Sequence, residues 1–423
     1  MHFCLVTYGS RGDVQPFIAM ALGLMAKGHQ VTLAAPGNFQ QLVNSYGIDM
    51  FPLHGDVEEI VNSPECQKVI RSGSDTAFMR EMLKKVRAMQ VPLFDDIYRA
   101  CKTADAIIAV NTAVFYVDTI AEKLGKKWVI VQLNPPMIPT KAFPMQMLNV
   151  PDITWFNRYT YHIINNVLWR VQKNDVAVLR QRVNLPALKE SLFKKIIKAK
   201  VPMLHAFSPE LIARPPDWND EHTIEGFFVV PAATGKNQPD KIHQDLNEWL
   251  QAGEKPLYIG FGSIPFPDTA KLENTIKGIL AQSTTRIVYC QGWSQLPELP
   301  VNSNLFVIKQ ADHQWLLPKC SAALIHGGIG TVAAVLRAGI PAIVASIFVD
   351  QPVWGRIIQQ KNLGVHIPWK KLSAERVLKA LKDVSQLPIN QTISNVQVRL
   401  SKEDGVGAAI KDIEAYCSQS IPV

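Results

Sequence analysis

The chain has 423 residues, of which 47% are hydrophobic and 19% charged; that is too long for one ordinary core, apolar enough for two, and unlike a disordered or fibrous sequence. No apolar run approaches the roughly 18 residues of a membrane span, the amino-terminal "HFCLVTYG" reads as a strand rather than a secretion leader, and six cysteines without CxxC pairs give neither a disulfide framework nor a zinc site. The expected location is the cytoplasm, and a net charge of +8 without a dense Lys/Arg run leaves nucleic acid outside the expected partners.

In chain order, "VTYGSRGDVQP" (6–16) is an apolar run that breaks at two glycines and ends at Asp13. Aspartate is a favoured helix cap, so a helix is expected to begin at Val14 with Pro16 in its first turn. The strand-like runs "HFCLVTY", "QVTLAAP", "AIIAVN" and "KWVIVQL" alternate with helical patterns at 14–27, 38–46 and 113–124. That alternation predicts a parallel sheet with helices on both faces. From 151 to 200 the pattern becomes an aromatic-rich helical insertion, "ITWFNRYTYHIINNVLWRVQ", whose rings either line an apolar ligand pocket or form core.

The most basic stretch, "KESLFKKIIKAK" (189–200), places Leu192, Phe193, Ile196 and Ile197 on one helical face and Lys194, Lys195 and Lys198 elsewhere. It reads as a solvated helix or as a peripheral contact with a lipid surface. "PAATGKNQPDK" (231–241), rich in Pro and Gly, is the expected linker. It separates an N-terminal domain (1–230) from a C-terminal one (242–405), and a last helix (406–423) packs on either. Beyond the linker the alternation restarts with "PLYIGFGS", "TRIVYCQG", "NLFVIKQ", "SAALIHGG" and "PAIVASI". Open sheets of this kind bind ligands beyond the carboxyl ends of their strands.

"ALIHGGIGTVAAVLRAGIP" (323–341) carries the most chemistry. A strand ends at His326, three glycines (Gly327, Gly328, Gly330) allow close backbone approach, and a helix is expected to open at Thr331 and stop at Gly339 before Pro341. Unpaired amides and the positive end of the helix dipole then point at one spot, an anion site that fits a pyrophosphate. The spacing is neither Walker A nor GxGxxG, which disfavours ATP and adenine dinucleotides.

With "VDQPVWG" following at the end of the next strand, the chain resembles the family 1 glycosyltransferases, and among them the sterol glucosyltransferases and bacterial antibiotic and natural-product glycosyltransferases. The motifs that carry the resemblance are "YGSRGDVQP", "SPELIARPPDW", "YIGFGSI", "QGWS", "HQWLLPKCSAALIHGGIGT", "LRAGIPAIV", "DQPVWG" and "NLGVHIP", in family order over nearly the whole chain, with a looser match from about 55 to 200. The resemblance implies an α/β GT-B fold, two doubly wound Rossmann-like domains facing across a cleft. It also implies a metal-independent inverting transfer of glucose from UDP-glucose to a hydroxyl of a hydrophobic aglycone, with no cofactor.

The resemblance further implies residue roles. His326 and the amides of Gly328, Gly330 and Thr331 hold the diphosphate, with Ser263 adding a hydroxyl, as donors aimed at developing charge. Trp293 packs on the uracil, or is strand-end core; the 311–313 loop, with Ala311 and His313, reads the base edge. Asp350 and Gln351 grip sugar hydroxyls, because a carboxylate accepts while an amide both donates and accepts; otherwise they form a turn before Pro352. Gly12, beside Asp13, joins the donor-binding set.

Asp13 stands where plant members carry a histidine and where sterol and antibiotic enzymes carry an aspartate. It becomes the base that takes the acceptor's proton, a role compatible with capping. Ala334 replaces the ribose-binding glutamate of plant members, and Asn111 stands at the place of their dyad aspartate, which leaves ribose contacts and a dyad open. A dTDP- or UDP-deoxysugar transferase, a UDP-sugar epimerase and a noncatalytic nucleotide-sugar-binding partner are the alternatives. Arg11-Gly12-Asp13 as an adhesion motif is set aside for want of an export signal. Acceptor identity and oligomeric state are not encoded in any motif.

Overall fold

The computed structural model describes residues 1–72, 75–231, 241–262, 268–292, 296 and 299–419. Ser263, Trp293 and most of the expected linker lie outside them. The chain divides into two compact units: Met1–Ile60, Met79–Val230 and Asp404–Val423 form the first, Val61–Phe78 and Pro231–Glu403 the second. Residues 61–78 thus group with the second unit although the sequence around them belongs to the first.

From the amino terminus the elements are β1 (His2–Val6), α1 (Arg11–Ala26), β2 (Gln30–Pro36), α2 (Gln40–Asn44), β3 (Asp49–Leu53), α3 (Val57–Asn62), α4 (Pro64–Ser72), α5 (Asp75–Cys101), β4 (Ala106–Val110), α6 (Val114–Leu124), β5 (Lys127–Gln132), α7 (Thr154–Arg182), α8 (Leu192–Lys198), β6 (Met203–His205) and β7 (His222–Ile224). The first sheet runs β3-β2-β1-β4-β5-β6-β7, and all its pairs are parallel. Helices cover both faces of such a sheet, so its central strands are apolar throughout; every residue of β4, "AIIAV", is buried. α1 is buried nearly all round, through Val14, Pro16, Phe17, Ile18, Ala19, Met20, Ala21 and Leu24, because β2 lies against one side and α16 against another.

The second unit continues with α9 (Lys241–Gln251), β8 (Leu257–Gly260), α10 (Thr269–Gln282), β9 (Ile287–Cys290), β10 (Leu305–Ile308), α11 (His313–Leu316), β11 (Ala322–Ile325), α12 (Ile329–Arg337), β12 (Ala342–Val344), α13 (Gln351–Gln360), β13 (Gly364–His366), α14 (Ala374–Val384) and α15 (Leu387–Leu400); α16 (Gly405–Ser418) returns to the first unit. Its sheet runs β10-β9-β8-β11-β12-β13, again all parallel. Leu257, Ile259, Ile287, Tyr289, Leu324 and Ile343 form its core. In the first unit α16 packs on α1, with His29 Nε2 and Glu414 Oε1 2.9 Å apart.

Several local expectations change. α1 begins at Arg11, not Val14: Ser10 is the cap, its hydroxyl accepting from Gly12 N–H, and Asp13 is the third helical residue of a capping box. Pro16 therefore lies inside the helix. The basic stretch forms only the seven-residue α8, with Leu192 and Ile196 buried. Lys195 is not solvated there; its Nζ lies 2.7 Å from Asp118 Oδ2 and 2.6 Å from Glu122 Oε2. Five of the six free cysteines are buried, and Cys417 is half-buried.

Candidate functional site

Because the second sheet is parallel, the loops after β8, β11 and β12 leave from one edge. β8 and β11 are neighbours at the point where the strand order reverses, the position at which such sheets open a ligand crevice. β11 ends at Ile325, and the chain turns through His326 and Gly327 into α12. That helix starts at Ile329 with Gly328 as its extended N-cap, rather than at Thr331. The cause is that the amides of Thr331 and Val332 both donate to the Gly328 carbonyl, at 3.0 Å, so residue 331 is already inside the first turn.

Among the described residues the amides of Gly328, Ile329 and Gly330 donate to no protein acceptor, and they lie at the positive end of the helix dipole. Of the amides assigned to a diphosphate, those of Gly328 and Gly330 are therefore available, that of Thr331 is engaged in the helix, and that of Ile329 joins the set. His326 is buried, and among the described residues its Nδ1 has no hydrogen-bond partner. Burial, with His313 nearby, pushes its pKa down to about 4. The ring is neutral at pH 7 and meets an anion with an N–H rather than a charge. Gly328 packs on that ring: a Cβ there would stand 2.4 Å from His326 Nε2.

His313 opens α11 after the cap Asp312, whose carboxylate accepts from Gln314 N–H at 2.9 Å. Its Nε2 and the Tyr258 hydroxyl share a 2.9 Å hydrogen bond, and the two rings stand at 89°. Ala311 is half-buried just before the cap. Tyr258 had no place in the sequence reading; its signal is Gly260, two residues on along the same strand, over which the tyrosine ring lies.

Asp350 and Gln351 sit at the start of α13. The buried Gln351 turns its Oε1 back to accept from the amides of Ile347 (2.8 Å) and Phe348 (3.3 Å), so its acceptor is committed to the loop. Asp350 Oδ2 accepts from Trp354 Nε1 at 2.9 Å, and burial pushes its carboxyl above the usual range. Just before them Val349, exposed and β-branched, has φ 60°, a strained conformation of the kind that gathers at binding loops. Phe348 in turn packs on Phe78 of the 61–78 segment, ring centroids 4.9 Å apart.

In the first unit the order reverses between β1 and β4, and the residues following those two strands lead to Asp13 and to Asn111. Asp13 Oδ2 accepts from Ser10 N–H at 2.8 Å and from Ser10 Oγ at 3.2 Å, and Thr7 Oγ1 donates to the Asp13 carbonyl at 2.9 Å. Gly9 must be glycine here: its φ is +151°, and a Cβ would fall 2.2 Å from Asp13 Oδ2. The Gly12 amide donates to Ser10 Oγ at 3.3 Å, so it serves the cap. Asn111 Oδ1 accepts from Leu133 N–H at 3.3 Å, tying the end of β4 to β5.

The aromatic row of α7 splits. Tyr161 is buried with its hydroxyl 3.3 Å from the Phe143 carbonyl, whereas Trp155 is 72% exposed. Ala334 is half-buried on α12.

The amino-terminal part, residues 3–142, matches the glycosyltransferase family 28 N-terminal domain, and residues 287–407 match the erythromycin biosynthesis protein CIII-like C-terminal domain. A sterol 3-beta-glucosyltransferase of Arabidopsis thaliana is 31% identical, the alignment covering 100% of this chain and 69% of that protein. A sterol 3-beta-glucosyltransferase of Sclerotinia sclerotiorum is 32% identical over 97% of this chain, which spans 29% of that longer protein. Among solved structures, the glycotransferase of kitacinnamycin superposes with a TM-score of 0.71 at 17% identity, covering 98% of each chain. The glycosyltransferase VinC in complex with dTDP superposes at 0.68 and 14% identity, covering 99% of this chain and 100% of that one. These two share the fold: two Rossmann-like domains built on parallel sheets.

Proposed function

We propose a function from one premise: this chain belongs to the glycosyltransferase family that contains the sterol 3-beta-glucosyltransferases. It transfers glucose from UDP-glucose to a hydroxyl of a hydrophobic, sterol-like aglycone, with inversion. The acceptor oxygen forms its bond to the anomeric carbon as the bond to the diphosphate oxygen breaks; UDP leaves with that electron pair, and the hydroxyl proton passes to Asp13. The amides of Gly328, Ile329 and Gly330 and the neutral His326 N–H receive the charge that develops on the diphosphate, and Asp350 with the Gln351 amide orients the sugar. The single observation that supports this reading most is the set of amides and the buried imidazole Nδ1 that have no partner among the described residues, at the strand-order reversal of the second sheet.

The test is a matrix: UDP-glucose against other UDP- and dTDP-sugars, and sterol, flavonoid and macrolide acceptors, with products read by mass. Transfer from a dTDP-deoxysugar alone moves the assignment to the antibiotic-type reading. Conversion of UDP-glucose to an isomeric UDP-sugar without any aglycone, separated by chromatography because the masses are equal, identifies an epimerase, and no turnover on any acceptor identifies a noncatalytic binder. Asp13→Asn keeps the shape and the acceptor for Ser10 N–H, so UDP affinity and Tm stay near wild type while turnover falls by about a hundredfold or more. Unchanged turnover in that variant removes Asp13 from the role.

A further inference from the structure

We propose that the outward face of α7 docks on an anionic lipid bilayer. The proposal concerns a surface of the first unit and does not depend on the identity of the sugar donor. Trp155, Tyr159, Ile163 and Val167 follow one another at intervals of four and are 72%, 61%, 51% and 49% exposed; Val171 continues the row. Over about 24 Å of helix this row is open to solvent, although the helix is firmly held from behind by Tyr161, Leu179 and the Arg180 pair with Glu122.

Beside it, three residues on from each apolar position, runs a second exposed row of Arg158, His162, Asn166 and Arg170. The acidic groups of this region include Asp217, close enough to Arg158 to feel its charge, and the exposed Asp152. Asp175 pairs with Arg87 at 3.0 Å, and Asp152 accepts from Asn157 at 2.6 Å. The face therefore shows apolar surface and positive charge side by side, with Trp and Tyr at its amino end.

That combination is what a helix lying in a membrane interface presents: apolar side chains at the acyl boundary, aromatic rings at headgroup depth, and arginines against lipid phosphates. A second copy of the chain fits less well, because a two-fold contact through this face sets Arg158 and Arg170 against like charges. For 189–200 lipid contact stands only as the alternative to a solvated helix, and there Leu192 and Ile196 are buried and Lys195 pairs with Asp118 and Glu122.

The experiment is co-sedimentation of the whole chain with phosphatidylcholine vesicles, with and without phosphatidylserine, at low and high salt. The expected result is binding to the phosphatidylserine vesicles that falls about tenfold or more when the anionic lipid is omitted or salt is raised. Replacing the apolar row (Trp155→Ser, Tyr159→Ser, Ile163→Ser) lowers partitioning about tenfold or more, and Arg158→Glu with Arg170→Glu abolishes the preference for anionic lipid; the charge variants, at exposed sites, keep the wild-type melt and UDP affinity.

Wild type that stays in the supernatant with phosphatidylserine vesicles overturns the proposal. Charge variants that sediment like wild type do the same, as does a dimer in velocity sedimentation that the serine variant splits. Loss of UDP binding in wild type would instead count against the sugar-transfer reading and leave this result standing.

Discussion

His326 and Gly328 are locked together by the short approach of ring and backbone, and the lock makes a sharp test. Gly328→Ala brings a methyl carbon to 2.4 Å of Nε2, so the imidazole must swing out of the turn or the cap must open. Either way the donors lose their convergence, and UDP affinity falls by about tenfold or more, in line with the few kcal/mol that preorganised donors contribute. Titration calorimetry with UDP checks it, and near-wild-type affinity would mean that the turn does not hold the diphosphate. Val349 offers the opposite kind of change. A β-branched residue at φ 60° is strained by about 1–2 kcal/mol, and Val349→Asn, which tolerates the left-handed region, is expected to raise the unfolding midpoint of the second unit; a drop in that midpoint contradicts the strain.

At this scale the glycines, His326 and the Asp350-Gln351 pair were visible as residue types in a motif. Which amides point outward was not, because a helix start shifted by two residues changes which N–H is engaged. The committed Oε1 of Gln351 and the Tyr258–His313 bond were equally invisible, since both depend on where a side chain turns.

Elements are held by contacts distant in sequence, and α8 shows the consequence. Arg180 of α7 makes two 2.8 Å bonds to Glu122, while Lys195 of α8 bonds Asp118, seventy-seven residues away. Burial pushes Asp118 up and Lys195 pulls it down, so the network balances a buried carboxylate with cations. Arg180→Ala removes one cation and leaves Glu122 and Asp118 partly uncompensated, at a cost of about 3–5 kcal/mol. Lys198→Ala, which removes only the exposed pair with Glu190, costs at most about 1 kcal/mol. Urea midpoints separate the two, and equal shifts would show that the buried network carries no special weight.

The same logic marks the reach of periodicity. β1, β2, β4 and β5 were legible because central parallel strands are continuous apolar runs. β3, "DMFPL", is an edge strand carrying a proline and mostly half-exposed or exposed residues, as edges permit. β6 and β7 are three residues each, too short to show a period, and the 27-residue α5 lay in the stretch where motif similarity was loosest.

For the whole molecule, the buried histidines set the response to acid, and they set it differently in the two units. His326 and His366 of the second unit are each pushed down to about 4 by burial, and His205 of the first to about 3. An unfolded histidine titrates near 6.5. Below that pH the unfolded chain takes up a proton that the folded one refuses, so this stability is present above about pH 6.5 and is lost as pH falls toward 4.

At pH 5 the fully buried His326 and His205 each cost about 2 kcal/mol, at 1.36 kcal/mol per pH unit, and the half-exposed His366 costs less because solvent screens it. The first unit carries an opposing group: Glu225 is raised to about 7, by burial first and by Asp412 after it. Its contribution has the reverse sign, since a raised carboxyl is favourable at low pH and loses that advantage as pH rises from about 4.5 through 7. In the first unit Glu225 offsets part of the loss from His205 and from His222, which burial also pushes down, whereas in the second His326 and His366 lose stability together against Asp350, which burial pushes up. Calorimetry at pH 7.5 and pH 5 is expected to show the second unit's transition falling further than the first's, with UDP raising only the second. His366→Asn, which lies outside the donor loop, should remove a part of the acid shift smaller than half. Two transitions that move together with pH, or a shift unchanged by that variant, would mean that other groups govern acid unfolding.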